Sequence, residues 1–354
     1  MLTVSLSAYQ SWQRCEQRYF YSYVRRLRQK VMDLAPERGV LLHEYLAGYY
    51  RMLQAGASAE DSHTESLATL SEEQRPKLSA SANISFFAGD EELAAQYMEL
   101  MDVVERIAER YYIARGRGDA ERYDVLLVEE RIRIELLTEV FSVSVIDLVL
   151  RDRDYGMNWL VEHKSTGNVP NSDVRMRDLQ TMLYAAVLAH EREMPIYATL
   201  WNYLRTKEPR VPTPLKAKGR EGELSRAEID SDWTTYKGAL LNAGLNPDLY
   251  TDMEMKLEGK EHSVFFPRFE QVIVADPEVL LGDYVTTASR IRMSTMQWTS
   301  GIGRPIRTLS RDCSFCPFNK ICEAALTGGD AEDDAITPVL GRLWGRRDGW
   351  RKGA

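Results

Sequence analysis

The sequence carries two acidic residues and a lysine in a pattern that could hold a divalent cation. Asp147 lies in a run rich in β-branched residues, and Glu162-His163-Lys164 lies in the next such run. If these strands pair across the polar turn 151–156, Asp147 approaches Glu162, and alternation places Lys164 on the same face as Glu162. Two carboxylates about 4 Å apart repel by about 4 kcal/mol at an effective dielectric of about 20, so a proton or a cation must intervene.

These groups together suit metal-assisted hydrolysis of a phosphodiester. A divalent metal polarises a phosphoryl oxygen and lowers the pKa of a bound water. An ammonium group such as that of Lys164 stabilises charge that develops on the phosphoryl oxygens, or orients the attacking water. The alternative is a solvated charge pair at a strand end, because so short a spacing pattern often occurs by chance.

Three further polar residues become candidates only beside this pattern. His43 lies on a predicted helix, where a packed or surface histidine is the ordinary outcome. Gln180 and Tyr184 are four residues apart and therefore share one face of the helix that follows the third strand. Alone, each of these residues would be an ordinary helix residue.

Four cysteines form a second group with chemical potential. Cys313, Cys316 and Cys322 lie in one short segment, whereas Cys15 lies near the start of the sequence. Four thiolates satisfy either a tetrahedral zinc ion or a [4Fe–4S] cluster, and the spacing alone leaves both open. Either group would join the two ends of the chain, and four cysteines without a metal are the third alternative.

The residue pattern predicts the elements that must position these side chains. The predicted helices are 5–28, 37–54, most of 58–118 with breaks near Pro76 and Gly89, 172–191 and 277–293, and the predicted strands are 124–136, 140–150, 158–164, 196–204 and 263–274. The first two strands are expected to form an antiparallel hairpin. This order predicts an α/β fold, with a mixed β-sheet flanked by helices.

Composition narrows the class of protein. The 354 residues include 45 Lys and Arg against 53 Asp and Glu, a net charge of −8, which argues against a general polyanion-coating protein. A nucleic-acid enzyme with locally clustered charge remains open. The sequence contains neither a spanning apolar run of about 20 residues nor a secretory pattern, so a cytoplasmic location without membrane partners is expected. In that compartment, cysteines serve more often as metal ligands than as disulfides.

The first predicted helix also offers a surface for nucleic acid. Basic and aromatic residues alternate along it, a combination that neutralises a phosphate backbone and stacks on bases. The candidate DNA contacts are Arg14, Arg18, Tyr19 and Arg25. The alternative is a helix whose aromatic residues belong to the core and whose arginines are solvated.

Together these motifs resemble the RecB-like nucleases of the PD-(D/E)XK superfamily, and most closely their iron–sulfur branch, which includes the CRISPR adaptation nuclease and the AddB nuclease domain. The resemblance rests on five motifs in the family's order: Ser5-x-Ser7 with Cys15-x-x-Arg18-Tyr19-x-Tyr21, Gly39-x-x-x-His43, Asp147 with Glu162-x-Lys164, Gln180-x-x-x-Tyr184, and the triplet Cys313, Cys316 and Cys322.

The resemblance implies a fold and roles for these residues. It implies a restriction-endonuclease-like sheet with a helical insertion and a C-terminal iron–sulfur segment. It also implies that Mg²⁺ or Mn²⁺ is bound by His43, Asp147, Glu162 and the carbonyl of His163. In the same family, Lys164 would be the catalytic lysine, and Gln180 and Tyr184 would position the DNA or the lysine. A structural [4Fe–4S] cluster, with Zn²⁺ as the alternative, would be held by Cys15, Cys313, Cys316 and Cys322.

Five segments and one function are expected on this basis. The segments are 1–57 with Cys15 and His43, a helical insertion at 58–118, a nuclease core at 119–297, the iron–sulfur segment at 298–327, and a linker with a basic tail at 328–354. The expected function is a metal-dependent DNA exonuclease that acts on single strands or frayed ends, with recombination or replication proteins as possible partners. The alternative is a non-catalytic nucleic-acid-binding or assembly protein on the same fold.

Overall fold

The structure is a computed structural model and describes most of the chain. It describes residues 2–29, 34–87, 89–169, 175, 178–216, 222–227, 230–273, 276–327 and 344–346. The predicted start of a helix at 172 lies outside these residues. The predicted linker and basic tail also lie outside them, apart from 344–346.

The elements follow one another in the order expected for an α/β protein. The strands are β1 (Leu2–Ser5), β2 (Leu27–Gln29), β3 (Tyr123–Leu137), β4 (Val140–Asp152), β5 (Asn158–Thr166), β6 (Ala198–Arg205), β7 (Arg268–Val272) and β8 (Trp344–Arg346). The helices are α1 (Leu6–Arg14), α2 (Glu16–Tyr19), α3 (Leu34–Gln54), α4 (Ala59–Phe87), α5 (Glu91–Tyr111), α6 (Arg117–Arg122), α7 (Leu179–Arg192), α8 (Trp233–Asn242), α9 (Thr251–Leu257), α10 (Pro277–Thr299) and α11 (Asn319–Leu326).

Six strands form a mixed sheet in the described part of the chain. Its order is β1-β4-β5-β6-β7, and β3 pairs with β4. Strands β1 and β4 are parallel, as are β5 and β6, and the other neighbouring pairs are antiparallel. The predicted hairpin and the predicted third strand are therefore present, and the mixed sheet flanked by helices is confirmed.

One edge of β4 is shared by two strands, which leave a gap between them. Strand β3 follows the whole of one edge of β4, so β1 and β5 both pair along the other edge. The pairing with β1 ends at Val143, and the pairing with β5 begins at Leu148. Asp147 therefore lies at a fork, where β4 and β5 separate.

Helices cover both faces of the sheet and pack on two different clusters. Leu148 belongs to the cluster of α3, α4 and α5, whereas Ile146 and Val149 belong to the cluster of α1, α7 and α10. Strict alternation would place residues three apart on opposite faces. The direction of the side chains in β4 therefore shifts around Asp147, between the two layers of helices.

The first predicted helix is broken at Cys15. Ser5 caps α1 by accepting from the Ala8 N–H at 3.2 Å. Cys15 has extended backbone angles, and the chain resumes as α2 and a π-helical turn, Phe20–Val24. At this break, the Gln17 N–H donates to the carbonyl of Ile306 at 3.1 Å. Where the helix is interrupted, a hydrogen bond to a residue far along the chain therefore takes the place of a bond within the helix.

Pro76 lies inside α4, so the break predicted there is wrong. A proline removes one hydrogen bond to the carbonyl four residues earlier, that of Glu72. Both Pro76 and Glu72 are exposed, which leaves this carbonyl accessible to water. The break predicted near Gly89 is correct, since α4 ends at Phe87 and Gly89 has a φ of +85°.

The predicted strand 263–274 begins later than expected, at Arg268. A π-helical turn, Glu261–Phe265, precedes it, and the adjacent Phe265 and Phe266 are both fully buried. A strand would point two neighbouring side chains in opposite directions, so the turn allows both rings into the core. No helix in the described ranges combines the length and the apolar character that crossing a bilayer requires.

Candidate active site

The fork brings the two predicted acidic residues to one place, where Glu162 is buried and Asp147 is half-buried. The Asp147 Oδ2 atom accepts from the backbone N–H of His163 at 3.2 Å. Glu162 is 2% exposed, and its Oε1 atom accepts from Lys164 Nζ at 2.5 Å and from Gln180 Nε2 at 2.9 Å. The other oxygen, Oε2, is buried and has no hydrogen-bond partner among the described residues. A buried carboxylate oxygen without a partner is costly, and a cation would satisfy it.

Burial and neighbouring negative charge raise the affinity of both carboxylates for protons. Burial, and then the charge of Glu129, raises the pKa of Asp147 to about 7. Burial, and then the charge of Asp147, raises the pKa of Glu162 to about 8. The two groups titrate together, so without a cation the pair retains a proton near neutral pH.

Lys164 remains charged despite its position. Its burial opposes the charge, but the carboxylate of Glu162 and the hydrogen bond to it raise the pKa of Lys164 above its usual value. The side chain is 35% exposed, so the ammonium group also reaches solvent. It can therefore contact both a buried carboxylate and a bound anion.

Helix α3 delivers His43 to the same place. Its Nδ1 atom lies 3.7 Å from Asp147 Oδ2, and the imidazole lies near the backbone of His163. Burial lowers the pKa of His43 below its usual value, which favours the neutral ring. A neutral imidazole is the form that binds metal ions.

Glu129 on β3 is a site residue that the sequence analysis missed. One ligand atom from each of His43, Glu129 and Asp147 lies within 4.8 Å of the other two, and Glu162 is not a member of this group. Glu129 has a φ of +48°, which is rare outside glycine and occurs where the surrounding structure enforces it. The predicted hairpin contained the signal, because counting back from its link places Glu129 opposite Asp147.

Helix α7 supports the glutamate from the other side of the sheet. Gln180 Nε2, which donates to Glu162, also lies 3.3 Å from the hydroxyl of Tyr184. Asp178 caps the helix by accepting from the Gln180 N–H at 2.8 Å, which fixes its first turn. Burial raises the pKa of Tyr184, so its hydroxyl stays protonated. The structure thus places Gln180 against Glu162, and Tyr184 against Gln180.

An open cleft of about 940 Å³ leads to this site. His43, Glu129 and Asp147 lie in its wall, and α3 and α4 supply most of the remainder. Its other charged residues are Glu44, Arg51, Glu65 and Glu73. The cleft connects Asp147 and Glu129 to solvent, and its acidic rim favours the approach of cations over that of anions.

The donor set fits a hard divalent cation. It combines one neutral imidazole with carboxylate oxygens, and backbone oxygen is available at His163. Oxygen ligands with one imidazole suit Mg²⁺ and Mn²⁺ better than softer metals. The unpartnered oxygen of Glu162 is the observation that most directly calls for such an ion.

The four cysteines meet at a separate cavity. They are all free thiols and line one cavity of about 320 Å³. No three of the four sulfur atoms lie within 4.8 Å of one another. A tetrahedral zinc ion with bonds of about 2.3 Å requires sulfur atoms about 3.8 Å apart. The sulfur atoms are therefore farther apart than they would be around a single zinc ion.

The arginines predicted to bind DNA lie near the cysteines. Arg14 and Arg18 line the cysteine cavity, and Arg25 is half-buried after the π-helical turn. Tyr19 is 2% exposed, stacks on Tyr23 with ring centroids 5.4 Å apart, and packs near Trp298. The stacking role predicted for Tyr19 is therefore wrong, because neighbouring rings already cover it.

Comparison with known proteins identifies the superfamily. None of the curated proteins compared matches the chain. The sequence model of the PD-(D/E)XK nuclease superfamily matches residues 3–323, a range that contains every site residue described above. The match covers nearly the whole chain, and the fork between β4 and β5 supplies an acidic pair with a lysine, so the chain belongs to the PD-(D/E)XK nuclease superfamily.

Proposed function

We propose that the protein is a metal-dependent DNA exonuclease that hydrolyses phosphodiester bonds, with a preference for single strands or frayed ends. Members of the superfamily are usually nucleases, which supports the general activity. The observation that carries the proposal is the buried Asp147 and Glu162 pair, in which one carboxylate oxygen lacks a partner beside a charged Lys164. The exonuclease activity and the strand preference rest on the sequence resemblance to RecB-like nucleases.

We assign Mg²⁺ or Mn²⁺ to the donors at the fork. His43, Glu129, Asp147 and Glu162 would hold the ion, together with the carbonyl of His163. When bound, it supplies a polarised phosphoryl oxygen and a water of lowered pKa. The protonated Lys164 stabilises negative charge on the phosphoryl oxygens.

The surrounding residues orient these groups. Gln180 donates to the Glu162 oxygen that also binds Lys164, so the second oxygen of Glu162 stays directed away from both donors. Tyr184 holds the amide of Gln180. The His163 N–H fixes one oxygen of Asp147. Because these contacts exist without a substrate, little reorganisation is needed when one binds.

We propose that the cysteines hold a structural [4Fe–4S] cluster rather than zinc. The wide spacing of the sulfur atoms and the cavity between them support the larger group. The cluster would link Cys15, at the break between α1 and α2, to the segment that contains Cys313, Cys316 and Cys322. Its role would be to hold these segments against the nuclease core.

End-labelled DNA tests the proposal directly. Single- and double-stranded DNA, labelled separately at each end, is incubated with the protein in EDTA, Mg²⁺ or Mn²⁺. Progressive shortening that requires the metal and is abolished in Glu162→Gln is the expected result. If carefully purified Glu162→Gln still cleaved DNA, the acidic site could not be the site of hydrolysis. Retardation of the DNA without shortening would favour the non-catalytic alternative.

A further inference from the structure

Behind the acidic pair lies a buried network of hydrogen bonds centred on Asn202 of β6. Asn202 is fully buried. Its Oδ1 atom accepts from Arg268 Nε at 2.8 Å, and its Nδ2 atom donates to the hydroxyl of Tyr111 at 3.0 Å. The same Nδ2 atom lies 2.8 Å from His163 Nδ1.

The donors and acceptors of this network permit one assignment of protons. A guanidinium group can only donate, so the Asn202 atom that faces Arg268 must be the carbonyl oxygen. The amide nitrogen then donates to His163 Nδ1, which must act as an acceptor. The neutral ring of His163 therefore carries its proton on Nε2, and its orientation is fixed by a donor that cannot reverse.

A buried ion pair fixes Arg268 in turn. Arg268 donates from two nitrogens to the two oxygens of Asp119, and both distances are 2.5 Å. It also donates to the hydroxyl of Tyr111 at 2.9 Å, and the hydroxyl of Tyr50 donates to Asp119. Elements that are distant in sequence thus converge on Asn202. Because the ion pair between Arg268 and Asp119 is surrounded by hydrogen bonds, it has few alternative arrangements, and the position of Arg268 is fixed.

This network reaches the candidate metal site through His163. The N–H of His163 donates to Asp147, and its backbone also meets His43. The ring of His163 stacks on Tyr50, with centroids 5.9 Å apart and planes at 24°. Tyr50 lies two turns after His43 on α3, so the network secures both β5 and the helix that carries His43.

We propose that Asn202 is a positioning residue for the divalent metal. By holding the imidazole of His163 in one orientation, it fixes the backbone that binds Asp147 and faces His43. This inference rests on the proposed function, since it assumes that a divalent cation binds at the fork. Asn202 is not expected to touch the metal or the substrate.

Substitution of Asn202 with an apolar residue of similar size tests this role. Asn202→Leu removes the donor to His163, and Tyr50→Phe is the matched control. The control loses hydroxyl contacts in the same network but keeps its ring and the contact between Asn202 and His163. Mn²⁺ binding is measured by calorimetry on the full chain without DNA, beside the melting temperature and the Mn²⁺ dependence of cleavage.

The expected result separates positioning from stability. Asn202→Leu weakens Mn²⁺ binding about tenfold, whereas Tyr50→Phe changes it less than twofold, although both lower the melting temperature. Equal weakening in the two variants, or unchanged Mn²⁺ binding in Asn202→Leu, overturns the inference and leaves the nuclease proposal standing. A wild-type protein that neither binds Mn²⁺ nor cleaves DNA overturns the proposed function itself.

A second variant keeps the test decisive if Asn202→Leu does not fold. His163→Leu removes the acceptor from the other end of the same hydrogen bond, and it is expected to weaken Mn²⁺ binding to the same degree. If both single variants fold, the double variant should bind Mn²⁺ no more weakly than either one, because both substitutions break the same hydrogen bond between Asn202 and His163. Unchanged Mn²⁺ binding in His163→Leu, or additive losses in the double variant, contradict the role of Asn202.

Discussion

At the scale of single residues, the site is a balance between burial and charge. Asp147 and Glu162 are acidic side chains in a place that disfavours two negative charges. Lys164 neutralises part of this charge through one oxygen of Glu162, and the other oxygen remains without a partner. Such an arrangement is unfavourable for stability alone, which is typical of residues that bind ions.

Glu129 gives the first prediction at this scale. Glu129→Gln should raise the Mn²⁺ concentration for half-maximal cleavage about tenfold, because it removes a carboxylate from the donor group around His43 and Asp147. The neighbouring Glu130→Gln is the control, since Glu130 binds Arg192 at 2.6 Å, away from the site. Cleavage assays across a Mn²⁺ titration measure both, and equal responses would exclude Glu129 as a ligand.

The raised pKa values give a second prediction. The ordinary values of Asp147 and Glu162 are 3.8 and 4.5, and the folded values are about 7 and about 8. The folded protein therefore holds more protons than the unfolded chain within this range, so stability falls as the pH rises from about 4 to about 8. A bound divalent cation removes this loss.

Melting curves of the metal-free protein between pH 5.5 and 8.5 check this dependence. The melting temperature should fall across the range, and the increase produced by Mn²⁺ should be larger at pH 8.5 than at pH 6. Glu162→Gln should show a flatter dependence because it lacks one of the two acids. A Mn²⁺ effect that is greatest at low pH would contradict the assignment.

At the scale of elements, the sequence predicted what local pattern controls. The hairpin of β3 and β4 and the following strand were predicted because their β-branched residues alternate and polar turns separate them. The break at Cys15 was missed because a contact with Ile306, distant in sequence, causes it. The continuous helix through Pro76 was missed because solvent exposure, which the residue type does not reveal, makes the lost hydrogen bond tolerable.

The site residues divide in the same way, into those that a local sequence pattern reveals and those that depend on contacts distant in sequence. The strand motif, His43 and the pair on α7 were found by spacing, because each lies within one element or one hairpin. Glu129 lies opposite Asp147 in the same hairpin and was within reach of that spacing, whereas its left-handed backbone angle could not be predicted from it. The network around Asn202 was invisible for a further reason, since it joins single residues from several elements that no local pattern connects.

The break between α1 and α2 places a cysteine beside a distant segment, which gives a third prediction. Cys316→Ser should abolish the brown colour of anaerobically purified protein and lower its melting temperature by about 5 °C or more, because bound clusters contribute folding energy. Mn²⁺ binding should persist, because the cysteine cavity and the acidic cleft have no lining residue in common. Colourless wild-type protein that contains zinc would instead support the zinc alternative.

At the scale of the whole molecule, the sheet is the frame between two layers of helices. Layer α3–α5 carries His43, and the layer of α1, α7 and α10 carries Gln180 and Tyr184. Asp147 lies where the side chains of β4 change direction between these layers. The site therefore needs both layers, and all of its residues lie within the range 3–323 that the superfamily model matches.

Sharing of one edge by two strands has a consequence for the beginning of the chain. In the register of the pairing between β4 and β5, Thr166 at the end of β5 would reach Val143, which Ser5 of β1 already pairs with, so β1 marks the limit of pairing along this edge. A protein without β1 would expose the edge of β4 at 140–143, and an exposed sheet edge favours self-association. Four residues that contribute no side chain to the candidate site thus protect the sheet edge beside it.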